Sequence, residues 1–277
     1  MVGPRVFVTG GAGTVAGWLV RTAPAAIDLH VTEHRSPVPD HVRARASVHR
    51  SDLRRRDEVG RRIAGIAPDV VVHTAYVQDE RAAIVDATAA VAAAAASVGA
   101  SMLQLSTDVV FAGDRPPYDE SSEPDPVSDY GRWKAEAERR ATAILADVCI
   151  TRTSLVVSID PPDRATAGLV EALRARRPIT LFHDEMRQPI RAEDLAAELW
   201  ALVALDRADR AGVWHLPGPE HLSRSDIGLR LARRLGLDPS PVTVGSAADH
   251  PSPRPRDPAL VSRRRQAFGV RLQAVDA

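Results

Sequence analysis

Short runs of β-branched and aliphatic residues alternate with longer stretches rich in alanine and arginine through the first half of the chain. Arg5 to Val8, Leu29 to Glu33, Val70 to His73, Ser101 to Ser106 and Val148 to Thr153 read as strands, and their short apolar runs suit burial on both faces. Strands and helical stretches alternating in this way predict a parallel sheet with helices on both faces. The segment from Ala82 to Val98 is almost continuous alanine and valine, so a helix hydrophobic nearly all round is expected there, buried between the sheet and a second surface. A partner subunit is one candidate for that surface, and a homodimer is the expected assembly. Past Ser158 the pattern loosens, punctuated by Pro161, Pro162, Pro178, Pro189, Pro217 and Pro219, with helices expected at Ala192 to Leu205 and Ser223 to Leu235. The tail from His250 to Pro258 is rich in proline and arginine, a composition that permits disorder.

A chain of 277 residues has room for one large α/β domain with a smaller lobe. Its 36 acidic and 36 basic residues give a formal net charge of +0, so no global field recruits nucleic acid or an anionic membrane, and neither is an expected partner. The single cysteine, Cys149, lies in an apolar run and reads as a small buried hydrophobe; no intrachain disulfide is possible. The first residues lack a basic segment followed by an apolar one, and no apolar run reaches the ~18 residues of a membrane span. A soluble, cytoplasmic protein is therefore expected, with no metal site.

Chemistry first surfaces after the first strand, in Thr9-Gly10-Gly11-Ala12-Gly13-Thr14-Val15-Ala16-Gly17. Glycines between a strand and a helix let the backbone turn tightly and approach a pyrophosphate seated at the positive end of the helix. Gly10, Gly13, Thr14 and Val15 are the expected contacts. Asp52-Leu53 follows a third short strand, where a carboxylate can accept a hydrogen bond from an adenine amino group or simply cap a helix before Arg54. The end of the second strand, Glu33-His34-Arg35-Ser36, bears on the choice of nicotinamide cofactor, because a carboxylate there holds ribose hydroxyls whereas an arginine accommodates a 2′-phosphate. Glu33 favours NAD. Counting from the glycine loop, His34 falls at the usual acid position, with Arg35 and Ser36 beyond it as phosphate partners, so NADP(H) is favoured over NAD(H).

Lys134 is the only lysine among 36 lysines and arginines, which leaves 36 − 1 = 35 arginines, and Tyr130 precedes it by one helical turn. A chain that uses arginine for every other cation keeps a lysine where a compact ammonium is needed. An ammonium on the same helix face favours the phenolate form of a tyrosine, which suits acid/base work near neutral pH.

Taken in order, these motifs resemble the extended short-chain dehydrogenase/reductase superfamily, in its dTDP-4-dehydrorhamnose reductase branch, over nearly the whole chain. Ser106-Thr107-Asp108-Val109-Val110-Phe111, Ser121 to Tyr130, Arg152-Thr153-Ser154, Asp184 to Ile190 with Asp194-Leu195-Ala196, and Arg254-Pro255-Arg256-Asp257 extend the likeness. The resemblance implies a Rossmann-like, doubly wound parallel sheet with a small interleaved C-terminal substrate lobe. The dinucleotide-binding core would span 1–157 with a return segment near 188–217, and the lobe 158–187 and 218–277. It further implies that Thr107 hydrogen-bonds a substrate carbonyl, that Tyr130 protonates it, and that Lys134 holds the nicotinamide ribose while lowering the Tyr130 pKa. Thr74 and Ala75 would line the cofactor, with Asp108, Arg187, Arg254 and Arg256 as substrate-side candidates, the arginines gripping a diphosphate. The implied reaction is reduction of a nucleotide-linked keto sugar. The alternatives are a non-catalytic, cofactor-binding regulatory subunit of the same fold and a sugar-nucleotide epimerase. Ala16 at the third glycine position, Val109 after Asp108 and Val157-Ser158 depart from the branch's pattern and imply a remodelled substrate pocket.

Overall fold

After Arg5, every residue of β1 (Arg5–Thr9) is buried, and so is every residue of β4 (Val70–His73). These two strands pair with each other at the centre of a seven-stranded sheet; the computed structural model describes residues 3–265 and 268–277. With β2 (Asp28–Glu33), β3 (Ser47–Arg50), β5 (Ser101–Thr107), β6 (Cys149–Thr153) and β11 (Gly212–Leu216), the order is β11-β6-β5-β4-β1-β2-β3. The pairs β1–β2, β2–β3, β1–β4 and β4–β5 are parallel, so the strand order reverses at β1, between β2 and β4. In doubly wound sheets a ligand crevice opens at that reversal, beyond the carboxyl ends of the strands.

The chain divides into two compact units. The first holds the residues up to Ser106, Arg132–Thr151 and Ala196–Trp214; the second holds Thr107–Gly131, Arg152–Leu195 and His215–Ala277. In the first, α1 (Thr14–Arg21), α2 (Asp40–Arg45), α3 (Arg56–Ile66) and α4 (Ala87–Ser97) connect the strands, and most of α5 (Asp129–Ile144) and α7 (Ala192–Ala204) belongs to it, with the short α8 (Arg207–Arg210). Strand residues alternate in direction, so Phe7, Val71, Met102 and Ile150 share one face and pack on Val59 and Ile63 of α3, Val91 and Ala95 of α4, and Ala141 of α5. Trp200 of α7 donates its indole N–H to Leu19 O of α1 at 3.1 Å, tying those two helices together.

The second unit carries α6 (Arg164–Arg174) and α9 (Arg224–Arg234) against three two-stranded ladders. These are β7 (Val156–Val157) with β10 (Ile190–Arg191), β9 (Met186–Arg187) with β12 (Leu222–Ser223), and β8 (Ile179–Phe182) with β13 (Val242–Gly245). Its core gathers Val157, Leu169, Leu173, Ile227, Leu231 and Val275. Asp163 caps α6 by accepting from Ala165 N at 2.9 Å and Thr166 N at 3.2 Å, and Ser223 caps α9, the pattern such residues favour at helix starts.

Three details differ from the sequence reading. The Ala82–Val98 stretch is not one uniform helix: a π-helical turn, Ala82–Asp86, precedes α4, and α3 packs along α4. The proline-rich tail is tied down by backbone bonds, Met186 N to Arg256 O at 2.7 Å, Asp257 N to Gly113 O at 3.1 Å and Tyr118 N to Ala259 O at 2.8 Å. The stretch Thr107–Gly131, expected to run with the core to 157, groups with the second unit. No helix among the described residues is long and apolar enough to cross a membrane.

Candidate functional site

The glycine loop is wound against the end of β2. Gly10 N donates to Thr32 Oγ1 at 2.9 Å, Gly11 N to Thr32 O at 2.8 Å, and Gly13 N to Gly10 O at 2.8 Å. Gly10 has φ +79°, and a Cβ on it would stand 3.0 Å from Ala75 Cα, so both its dihedral and its neighbour demand glycine. Gly13 is the N-cap of α1 and offers no side-chain cap, which leaves first-turn N–H groups for an anion at the positive end of the helix.

Beside this loop lies a cavity of about 330 Å³. Its walls are Gly10, Ala12 and Gly13; Thr32 to Ser36; Ser51 to Arg54; and Thr74 to Val77 with Glu80, Ala83 and Ala87. The structure thus brings together the expected Gly10, Gly13, His34, Arg35, Ser36, Asp52, Leu53, Thr74 and Ala75. Thr14 and Val15 open α1 and are not among the lining residues. Sequence reasoning missed Tyr76, Arg54 and Glu80. It also missed Thr32, whose only signal was a hydroxyl inside an apolar strand.

A buried relay holds the β4 wall. Thr9 Oγ1 accepts from Thr74 N at 3.1 Å and from Ala75 N at 3.2 Å, so its single proton goes to His73 Nδ1, 2.7 Å away. His73 is therefore the Nε2–H tautomer, donating to Thr88 Oγ1 at 3.1 Å. Burial, assisted by the charge of Lys134, pushes the His73 pKa down to about 3, so the ring stays neutral.

Charges line the far wall. Asp52 accepts from Arg54 Nε at 2.9 Å and Arg54 Nη2 at 2.8 Å, and Arg54 holds its carboxyl well below the usual range. Glu33 accepts on Oε2 from Val38 N at 3.2 Å and from Arg43 Nη2 at 2.5 Å, so that oxygen is held by the following loop and α2. Arg35 is paired with Glu80 at 2.8 Å.

Lys134 is only 5% exposed. It donates from Nζ to Leu105 O at 2.7 Å and stands 5.5 Å from the ring centroid of Tyr76, a cavity-lining residue. Burial lowers its pKa to about 8, with the charge of Glu138 opposing the shift. Glu138, one turn further along α5, is equally buried and accepts a short hydrogen bond from Ser106 Oγ. Tyr130 lies one turn before Lys134 on the same helix and is half-buried.

In the second unit, Thr107 Oγ1 caps the turn Asp108–Val110, accepting from Val109 N at 3.3 Å and donating to Asp108 Oδ1 at 3.3 Å. Gly131, next to Tyr130, abuts that turn so closely that a Cβ would fall 2.3 Å from Val109 O. The start of the tyrosine helix is therefore pressed onto the turn that follows Thr107. Asp108 accepts from Ser154 Oγ at 2.6 Å, and burial pushes its pKa up.

The arginines expected to grip a diphosphate are differently disposed. Arg187 is buried, bonded to Glu185 Oε1 at 3.0 Å and to Met186 O and Pro255 O, with Asp108 3.9 Å from its Nε, so its partners lie within the unit. Arg254 pairs with Glu185 Oε2 at 3.1 Å and covers the Phe182 ring, yet its side chain remains 36% exposed. Arg256 is exposed.

Comparison with known proteins finds relatives along most of the chain. The dTDP-4-dehydrorhamnose reductase of Streptomyces griseus is 32% identical over 179 residues, 62% of this chain and 59% of its own length. That of Mycobacterium tuberculosis (strain H37Rv) is 28% identical over 96% of this chain and 88% of its own. The methionine adenosyltransferase 2 subunit beta of Xenopus laevis is 26% identical over 75% of this chain and 67% of its own. A crystal structure of dTDP-4-dehydrorhamnose reductase from Bacillus anthracis in complex with NADP superposes with a TM-score of 0.80, at 19% identity, over 99% of this chain and 96% of that one. That last likeness is one of fold. The model of the RmlD substrate binding domain family matches residues 4–275, and to that family this chain belongs.

Proposed function

We propose that this chain is an oxidoreductase, an NADPH-dependent reductase of a nucleotide-linked keto sugar. The observation that carries the reading is the only lysine. Lys134 is buried one helical turn past Tyr130, with its ammonium against Tyr76 at the wall of a glycine-loop cavity. The cavity residues suit a dinucleotide: an uncapped helix start for the pyrophosphate, Asp52-Leu53 toward the adenine, and Thr74 and Ala75 held by the Thr9 hydroxyl. NADPH is favoured over NADH because His34, Arg35 and Ser36 line the cavity together while Glu33, the acid that would hold ribose hydroxyls, is engaged by Arg43 and Val38 N.

A reduced nicotinamide held by the glycine loop, Thr74, Ala75 and Lys134 would supply the hydride for the carbonyl carbon. In this reading Tyr130 gives its phenolic proton to the carbonyl oxygen, and the Thr107 hydroxyl donates to that oxygen as negative charge develops. Lys134 holds ribose hydroxyls and, as an ammonium, favours the phenolate left behind. Arg254, the more exposed partner of Glu185, is the arginine available to a substrate diphosphate, whereas Arg187 braces it through the same carboxylate.

The test is a panel of nucleotide-linked 4-keto sugars offered with NADPH, read by loss of reduced-nicotinamide absorbance. Turnover of at least one panel member is expected. Binding of NADPH with no reduction across the panel would instead favour a regulatory subunit, the reading to which the subunit beta relative lends weight. An inverted sugar centre without net NADPH consumption would favour an epimerase.

A further inference from the structure

Glu80 lines the cavity and has no part in the reading above. It sits just before the Ala82–Asp86 turn, its own carbonyl accepting from Ala83 N at 3.0 Å. Its carboxylate is divided between two guanidiniums: Oε1 accepts from Arg35 Nη1 at 2.8 Å, and Oε2 from Arg54 Nη1 at 3.0 Å. Guanidiniums converging on one oxyanion are the usual grip on a phosphate monoester, and here the chain's own carboxylate takes that grip.

The other acids of this wall are placed differently. Glu33 is held by Arg43 and Val38 N, and Asp52 is bound by Nε and Nη2 of Arg54, leaving Nη1 of that guanidinium to Glu80. A 2′-phosphate carries a charge of about −1.5 to −2 at pH 7 and would draw on the same donors as Glu80, with the two anions side by side. A 2′-hydroxyl makes no such demand, and the arginines can keep their carboxylate.

We propose that Glu80 is a specificity-determining residue: an internal anion that occupies the 2′-phosphate subsite between Arg35 and Arg54 and holds down the preference for NADPH over NADH. The inference rests on the dinucleotide reading of the cavity. Glu80 is part-exposed, and its removal leaves no buried group unpaired.

The experiment is calorimetric titration of the full chain and its Glu80→Gln and Glu80→Asp variants with NADPH, NADH, 2′,5′-ADP and 5′-AMP. Glu80→Gln should raise the NADPH-to-NADH affinity ratio about tenfold, through tighter NADPH binding, and the fragments should follow. Glu80→Asp, which keeps the charge, should stay near the wild-type ratio, and the glutamine effect should shrink at 1 M salt, where the Debye length is about 3 Å. An unchanged ratio, or one raised only by weaker NADH binding, overturns the proposal and leaves the dinucleotide reading standing. If neither wild type nor variant binds any of the four probes, both fall together.

Discussion

At the cavity of the first unit, Arg35 and Arg54 meet Glu80 with side chains 57%, 33% and 33% exposed; inside the second unit, Arg187 meets Glu185 with side chains 7% and 4% exposed. Both are arginine–carboxylate pairs at about the length of a strong hydrogen bond. What separates them is solvent. An exposed pair gives up little when it opens, because water and salt replace the partner. A buried pair has already lost its hydration, so removing one member strands the other charge. The first arrangement is suited to exchanging an internal anion for a ligand, and the second to fixing a shape.

The hardest blow to this contrast comes from Arg187→Ala. It should destabilise the protein by about 2–4 kcal/mol in urea unfolding, because Glu185 keeps only the more exposed Arg254 as a cationic partner and two carbonyls lose a donor. A cost below about 1 kcal/mol would erase the distinction between the two networks.

Lys134 is a buried cation of the first unit, and it sharpens the comparison. Lys134→Arg keeps the charge but places a longer, planar group where a compact ammonium donates to Leu105 O, so kcat should fall about a hundredfold or more, with Tyr130→Phe comparable. Cofactor affinity should separate the two, nearly unchanged in Tyr130→Phe and weakened in Lys134→Met. Turnover of Lys134→Arg at the wild-type rate would remove the catalytic reading.

His73 tests the buried side by pH. Its folded pKa of about 3 lies below the ordinary 6.5, so protons bind the unfolded chain first and stability falls as pH drops below 6.5, continuing toward 3. At about 1.4 kcal/mol per pH unit, moving from pH 7.5 to 5 should cost about 2 kcal/mol through this one ring. His73→Asn should flatten that part of the pH dependence. An identical acid limb in the variant would assign the loss to other groups.

The smallest effect on stability belongs to Arg35→Ala, expected within about 0.5 kcal/mol in the same unfolding assay. Its NADPH affinity should nevertheless drop about tenfold relative to NADH. A variant that binds both cofactors as before would return the ribose to Glu33.

Much of this was legible in the chain because strand burial and glycine spacing are local. The Val70–His73 strand was read to the residue, and those at Arg5 and Ser101 to within one residue. Tyr130 and Lys134 advertised themselves by composition. Glu80 and Arg54 did not, since a glutamate and an arginine in a chain with 36 of each charge sign acquire meaning only when folding sets them 3.0 Å apart. Arg187 shows the same limit: sequence gives its charge but not its burial or its bonds to Glu185, Met186 O and Pro255 O.

The tail carries a consequence for biosynthesis. Gly113 and Tyr118 find their backbone partners in Asp257, Ala259 and Val261, which leave the ribosome long after them. The interval from Gly113 to Asp257 is 257 − 113 = 144 residues, which at ordinary elongation rates is on the order of ten seconds. Throughout that interval Tyr118, later stacked on Phe111 with ring centroids 4.3 Å apart, waits without the tail segment that pairs with its backbone. A ribosome stalled before Arg256 should therefore display a nascent chain whose second unit is still protease-sensitive, and emergence of the Arg256 to Val261 segment should close it.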